Sequence, residues 1–133
     1  MTGWNPFFDL DYRRGQVGEN LVGTFLENLN GGLIEVKTDY RAGETGNVYI
    51  ETWQQGGDGW KQSGLNLSKS NYYALAGPNA TGFIVIDSDQ LKLLARQAPE
   101  RTISNDNINT LNTRGRLVKL TDILSVIFGK DKL

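Results

Sequence analysis

The sequence predicts a single mixed α/β domain over residues 1–133, a central sheet flanked by helices. Three observations predict it. Segments 33–39 and 47–54 alternate apolar and polar side chains with the period of a strand. Apolar positions recur at helical spacing across 13–29 and again across 89–97. The length, 133 residues with 38% hydrophobic and 22% charged, suits one core, and no linker, repeat or low-complexity tract divides the chain.

Taken in order, residues 1–12 carry Trp4, Phe7, Phe8 and Tyr12, an aromatic lead-in expected to pack on the body. Val17, Leu21, Val22, Phe25, Leu26 and Leu29 then make one helix face, and Asn30-Gly31-Gly32 stops that helix. In 33–39, Glu35, Lys37 and Asp39 point one way while Ile34 and Val36 back them. In 47–54, Val48 and Ile50 share one face, and Tyr49, Glu51 and Trp53 the other. The turn-forming run 41–46 between these strands predicts an antiparallel hairpin, followed by a glycine-rich link at 56–59. Short strands are expected at 72–76 and 83–86, and Asp87-Ser88 offers N-caps for a helix over 89–97 that Pro99 closes. Residues 100–113 read as irregular, 117–120 as a strand, and Thr121 or Asp122 opens a last helix ending near Gly129.

The residue inventory narrows the chemistry. With no cysteine and no histidine, disulfides, zinc fingers, thiol catalysis and imidazole general bases are excluded. Any hydrolysis must run on carboxylates, lysine, hydroxyls and hard, oxygen-bound metals. A net charge of −1 argues against coating nucleic acid nonspecifically, yet leaves room for local phosphate contacts by Arg and Lys. No segment has the apolar length of a membrane span and the start lacks a signal peptide's pattern, so the expectation is an intracellular protein without a membrane partner.

The feature that invites chemistry is the strand face Glu35, Lys37, Asp39 opposite Glu51. A hairpin register that pairs these strands brings Asp39 and Glu51 to one side, where two carboxylates repel unless a divalent cation lies between them. Lys37 beside them suits holding a phosphate oxygen or orienting a water. Glu19, at the edge of the first helix's apolar stripe, is expected to point at the sheet as a third metal or water ligand. The alternatives are a solvated outer face for the hairpin and a Glu favoured by the helix dipole at position 19.

The runs Glu35-Val36-Lys37-Thr38-Asp39, Thr45-Gly46-Asn47-Val48-Tyr49-Ile50-Glu51, Ser63-Gly64-Leu65 and Ser70-Asn71-Tyr72-Tyr73-Ala74, after the Gly15-Gln16-Val17-Gly18-Glu19 helix, resemble the phage-type branch of the PD-(D/E)xK nucleases. That branch is similar in layout to Holliday junction resolvases, and the likeness covers about residues 13–90. The resemblance implies a restriction-endonuclease-like fold in which Asp39 and Glu51 bind Mg²⁺ (or Mn²⁺), Glu19 completes the shell, and a water attacks a phosphodiester of DNA. One departure matters: the family's lysine two residues after the second acid is replaced by Trp53, and Lys37 is the substitute. If Lys37 does not reach the phosphate, the expectation becomes an inactive nuclease-like fold that binds nucleic acid or a protein.

Weaker candidates surround this set. Arg13, Arg14, Arg41 and Lys61 suit a substrate groove, and Ser63-Gly64 with Ser68-Lys69-Ser70 suit a phosphate, although solvated charges and a plain turn are the commoner readings of such residues. Thr113-Arg114-Gly115-Arg116 reads as a compact basic turn. A homodimer is a further expectation, formed through the aromatic N-terminus or the stripe from Ile123 to Phe128.

Overall fold

A computed structural model describes residues 6–78, 80–104 and 111–129, with the side chains of 6–14 and 18 outside that description. The aromatic lead-in and the Arg14 side chain therefore lie outside the described residues. The chain forms two compact units, 1–33 and 34–133.

The first unit is essentially one helix, α1 (Pro6–Asn30), longer than the 13–29 the spacing predicts. Its end is the glycine stop read from the sequence. Gly32 takes φ +70° and its N–H donates to Leu29 O, while Leu33 N–H donates to Asn28 O, so the last carbonyls are capped.

The second unit holds β1 (Ile34–Thr38), the one-turn helix α2 (Ala42–Thr45), β2 (Asn47–Gly56), β3 (Gly59–Gln62), a 3₁₀ turn (Gly64–Asn66), β4 (Tyr72–Ala76), β5 (Ile84–Asp87), α3 (Ser88–Gln97), β6 (Glu100–Ile103), β7 (Thr113–Lys119) and α4 (Leu120–Phe128). The mixed α/β class holds, but the strands form two sheets, ordered β1-β4-β5 and β3-β2-β7-β6. The hairpin expected from 33–54 is not formed. β1 pairs in parallel with β4, and β2 pairs with β3 and β7.

The cause is local. Residues 42–45 make a helical turn instead of a tight reversal, so the chain turns a corner between sheets. Meanwhile β4, buried at Tyr73, Ala74 and Leu75 in succession, is apolar on both faces and takes the centre of the first sheet. β1 is left at an edge, with Val36 70% exposed instead of buried behind the charged face.

Two expected irregular stretches are strands. Gly57-Asp58 turns β2 into β3, and Glu100–Ile103 pairs with β7. The basic stretch 113–116 is part of β7, an inner strand, and not a turn.

Val48, Ile50, Val118, Tyr73, Leu75, Ile86, Leu91, Ala95 and Ile123 form one core between the two sheets and helices α3 and α4. Asp87 caps α3 by accepting from Asp89 N–H and Gln90 N–H, as the sequence predicts. Ile123 is fully buried, and Val126 and Ile127 pack on the core, so of the C-terminal stripe expected at a dimer contact only Leu124 and Phe128 stay exposed. Among the described residues, no helix is long and apolar enough to cross a membrane.

Candidate functional site

Asp39 is the hinge between the sheets. Its Oδ1 accepts from the N–H groups of Arg41 and Ala42 at 2.8 Å each, an N-terminal cap for α2. Its Oδ2 accepts from Tyr49 N–H at 2.9 Å, on the edge of β2 that faces away from β7. Asp39 thus joins the end of β1 to β2 through its side chain, although no ladder runs between those strands.

The same corner encloses a cavity of about 300 Å³ lined by Lys37, Asp39, Arg41, Tyr49 and Arg101 among others. Lys37 and Asp39 share a strand face, as their spacing requires, and Arg41 joins them from α2's approach. Three cations around one carboxylate leave the cavity positive, suited to an anion such as a phosphate. Among the described residues Lys37 makes no ion pair, so its ammonium is available.

Glu51 stands beside this cavity, on the face of β2 that carries Tyr49. Glu51 and Arg101 both pair with Gly115, so their side chains rise on one face across the width of a single residue. Gly115 has no side chain for a reason: a Cβ there would lie 2.6 Å from Tyr49 Cζ and 2.5 Å from Ile50 O. The Tyr49 ring fills that space and its hydroxyl meets Thr113 Oγ1 at 2.7 Å. Burial pushes the Tyr49 phenol above its ordinary pKa against the Thr113 hydrogen bond, with Glu51 raising it further and Arg101 opposing. Glu51 itself accepts from Ser63 Oγ at 2.8 Å through Oε2, which orients its carboxylate and leaves Oε1 open.

Trp53 does not share this face. Between Glu51 and Trp53 the register slips, Gly115 and Arg114 being the successive partners, so Thr52 is an extra residue in a β-bulge. The bulge turns Trp53 to the side of buried Thr52, where both line a cleft with Arg116 and α3. The expectation that Tyr49, Glu51 and Trp53 share a face is corrected: Trp53 points away from Glu51.

The fit to a metal is partial. Among the described residues no group of three or more acidic side chains assembles. Glu19 lies on α1 in the first unit, and the second unit contributes Asp39 and Glu51. Mg²⁺, however, keeps most of its waters and takes one or two carboxylates with substrate phosphates. Glu51 has an open oxygen for this, while Asp39, already accepting three backbone N–H groups, has a single lone pair left.

Of the other sequence candidates, Arg41 lines the cavity and Ser63 supports Glu51. Lys69 is exposed in the loop before β4, and Lys61 is loosely paired with Asp58 at 3.8 Å. Tyr49 and Arg101 were missed as site residues. The alternation of 47–54 put Tyr49 beside Glu51, and only the assumption that 100–113 is irregular hid Arg101. Compared with known protein families, with curated proteins and with solved structures, the chain matches none.

Proposed function

We propose that this chain is a nuclease of the PD-(D/E)xK type that hydrolyses phosphodiester bonds in DNA with Mg²⁺ or Mn²⁺, acting inside the cell and at branched or other non-canonical structures. The observation that carries the reading is the single cavity that gathers Lys37, Asp39 and Arg41, each singled out by the sequence, with Tyr49 and Arg101.

In this reading Lys37, Arg41 and Arg101 draw a phosphate into the cavity and offset its charge. Lys37, a point charge on a long stem, holds the oxygen on which negative charge grows. Glu51, its Oε2 fixed by Ser63, keeps its other carboxylate oxygen for the cation. Glu51 with the last lone pair of Asp39 would hold the cation, which when bound supplies the Lewis acidity that makes water nucleophilic at neutral pH. A homodimer would let two such sites cut two strands.

The test is cleavage of branched and linear DNA with Mg²⁺, Ca²⁺ or EDTA. Cleavage with Mg²⁺, binding alone with Ca²⁺, and neither cleavage nor nicking in EDTA is the expected pattern; robust cutting in EDTA sinks the metal-dependent mechanism. A second reading, a nuclease-like fold that binds nucleic acid without cutting it, is favoured by one feature: Asp39 is occupied as a backbone cap. DNA binding with no cleavage under any divalent metal would support that reading.

A further inference from the structure

The bulge that removes Trp53 from the Glu51 face delivers it to a second cleft, and we infer that this cleft binds single-stranded nucleic acid, seating a base on Trp53 and the adjoining phosphate on Lys92, Arg96 and Arg116. The inference takes its ligand class from the nucleic-acid reading above but uses no residue of the Lys37 cavity.

The cleft, about 270 Å³, is lined by Thr52, Trp53, Leu65, Asn66, Lys92, Ala95, Arg96 and Arg116, so three cations and no carboxylate face it. Lys92 and Arg96 are four residues apart on α3 and project from one helix face, beside buried Leu91 and Ala95 that anchor the helix to the core. Neither is ion-paired among the described residues. Arg116 is held in place: its Nη1 donates to Ala98 O at 2.9 Å, and Glu100 lies 3.9 Å from Nη2 as a loose, part-exposed partner outside the cleft lining. On the same sheet face the Arg114 guanidinium stacks on Trp60 at 4.1 Å from the ring centroid, which extends the surface as alternating indole and cation.

Three cations against one loosely paired carboxylate outside the lining favour an anion, and a half-buried indole among them selects one that carries a flat ring. Bases stack on aromatic side chains with little regard to sequence, at about 1–3 kcal/mol each. In a duplex those base faces are already stacked, so the cleft favours an unpaired strand. Its volume lies just below the range of pockets for drug-sized ligands, which suits one nucleotide of a longer strand.

The test is a titration of the full chain, in EDTA so that cleavage plays no part, with oligothymidylate, blunt duplex DNA and polyglutamate, read by tryptophan fluorescence and by anisotropy of a labelled oligomer. Oligothymidylate should bind best and quench the emission, and Trp53→Phe should lose most of the quench although Trp4 and Trp60 remain. The double variant Lys92→Ala/Arg96→Ala, with its thermal melt followed alongside because Lys92 is half-buried, should bind at least tenfold more weakly, with a log Kd against log salt slope lower by about 1.4, about 0.7 for each charge on a single strand. Unchanged affinity and slope in that variant overturn the inference, as does polyglutamate or duplex binding as tight as oligothymidylate. Cleavage in Mg²⁺ is read separately. A chain that cuts DNA but shows no cleft-dependent binding overturns this inference alone, whereas cleft-dependent binding without cleavage upholds it and overturns the nuclease proposal.

Discussion

At the scale of single residues, the site depends on groups whose neighbours fix what each can do. Glu51 keeps an open carboxylate oxygen because Ser63 occupies only the other, and Lys37 keeps its charge free at the cavity wall. Lys37→Met should therefore lower cleavage by a factor of about 10²–10³, the scale of losing one preorganised electrostatic donor. DNA affinity in Ca²⁺ should fall far less, since Arg41 and Arg101 remain; turnover equal to the unaltered protein's would make Lys37 a bystander. Gly115 offers a stability counterpart. Adding a methyl there drives it into Tyr49 and the Ile50 carbonyl at under 3 Å, and the backbone side of that clash has no rotamer to yield. Gly115→Ala should cost about 1–3 kcal/mol in urea unfolding, the range for overpacking, whereas Gly57→Ala at the β2–β3 turn, with open space around it, should cost far less.

At the scale of elements, two local devices decide the site, and they differ in how far the sequence shows them. Asp39 ends one strand, caps α2 and binds the edge of β2. Asp39→Ala should therefore lose about 1–3 kcal/mol of stability along with any cleavage, because a cap and a buried-edge amide both lose their acceptor. Chemical denaturation checks this, and an unshifted midpoint would show the cap to be dispensable. The bulge at Thr52 makes a second claim: a lysine at position 53 faces the Lys92 cleft and not Glu51. Trp53→Lys should leave Lys37→Met inactive in the plasmid-nicking assay, and recovered activity would mean that the bulge slides. The period of two in 33–39 and 47–54 made the faces of Lys37, Asp39 and Glu51 legible, as the Asp87 cap and the glycine stop at 31–32 were. Partner choice was not legible, because alternation sets which side chains share a face but not which strand lies alongside, and a four-residue helix in 42–45 looks like turn chemistry in sequence. A bulge is likewise silent in the pattern of one strand, since it exists only as a mismatch between Thr52 and a partner 62 residues away. For the same reason Arg101 was hidden: its strand is short, polar at three of its four positions, and defined only by pairing with β7.

At the scale of the whole second unit, two tyrosines, one in the core and one on the outer face of the second sheet, carry phenols whose titration is linked to folding. Tyr73 is among the core residues of β4, and Tyr49 spans the outer face of the second sheet. Burial raises both above the ordinary tyrosine pKa; hydrogen bonds from Thr113 and Ser68 pull the other way, and Glu51 and Glu35 add to the rise. The sign of the linkage follows from proton counting. In the unfolded chain a tyrosine loses its proton near pH 10, while in the folded chain it keeps it to higher pH, so above about pH 10 the folded state binds more protons. The stability from the neutral phenols is complete below that value and is lost as pH rises through the folded-state pKa values. Unfolding midpoints in urea should thus be flat in this respect up to about pH 10 and decline beyond it, with tyrosinate absorbance appearing later in the folded protein than in the denatured one. Tyr49→Phe should shrink the alkaline decline while costing about 1 kcal/mol at neutral pH for the lost Thr113 hydrogen bond. The difference between the two proteins, measured at matched salt, carries the result. An identical alkaline slope with and without the Tyr49 hydroxyl would mean that its ring stands in water and not across Gly115.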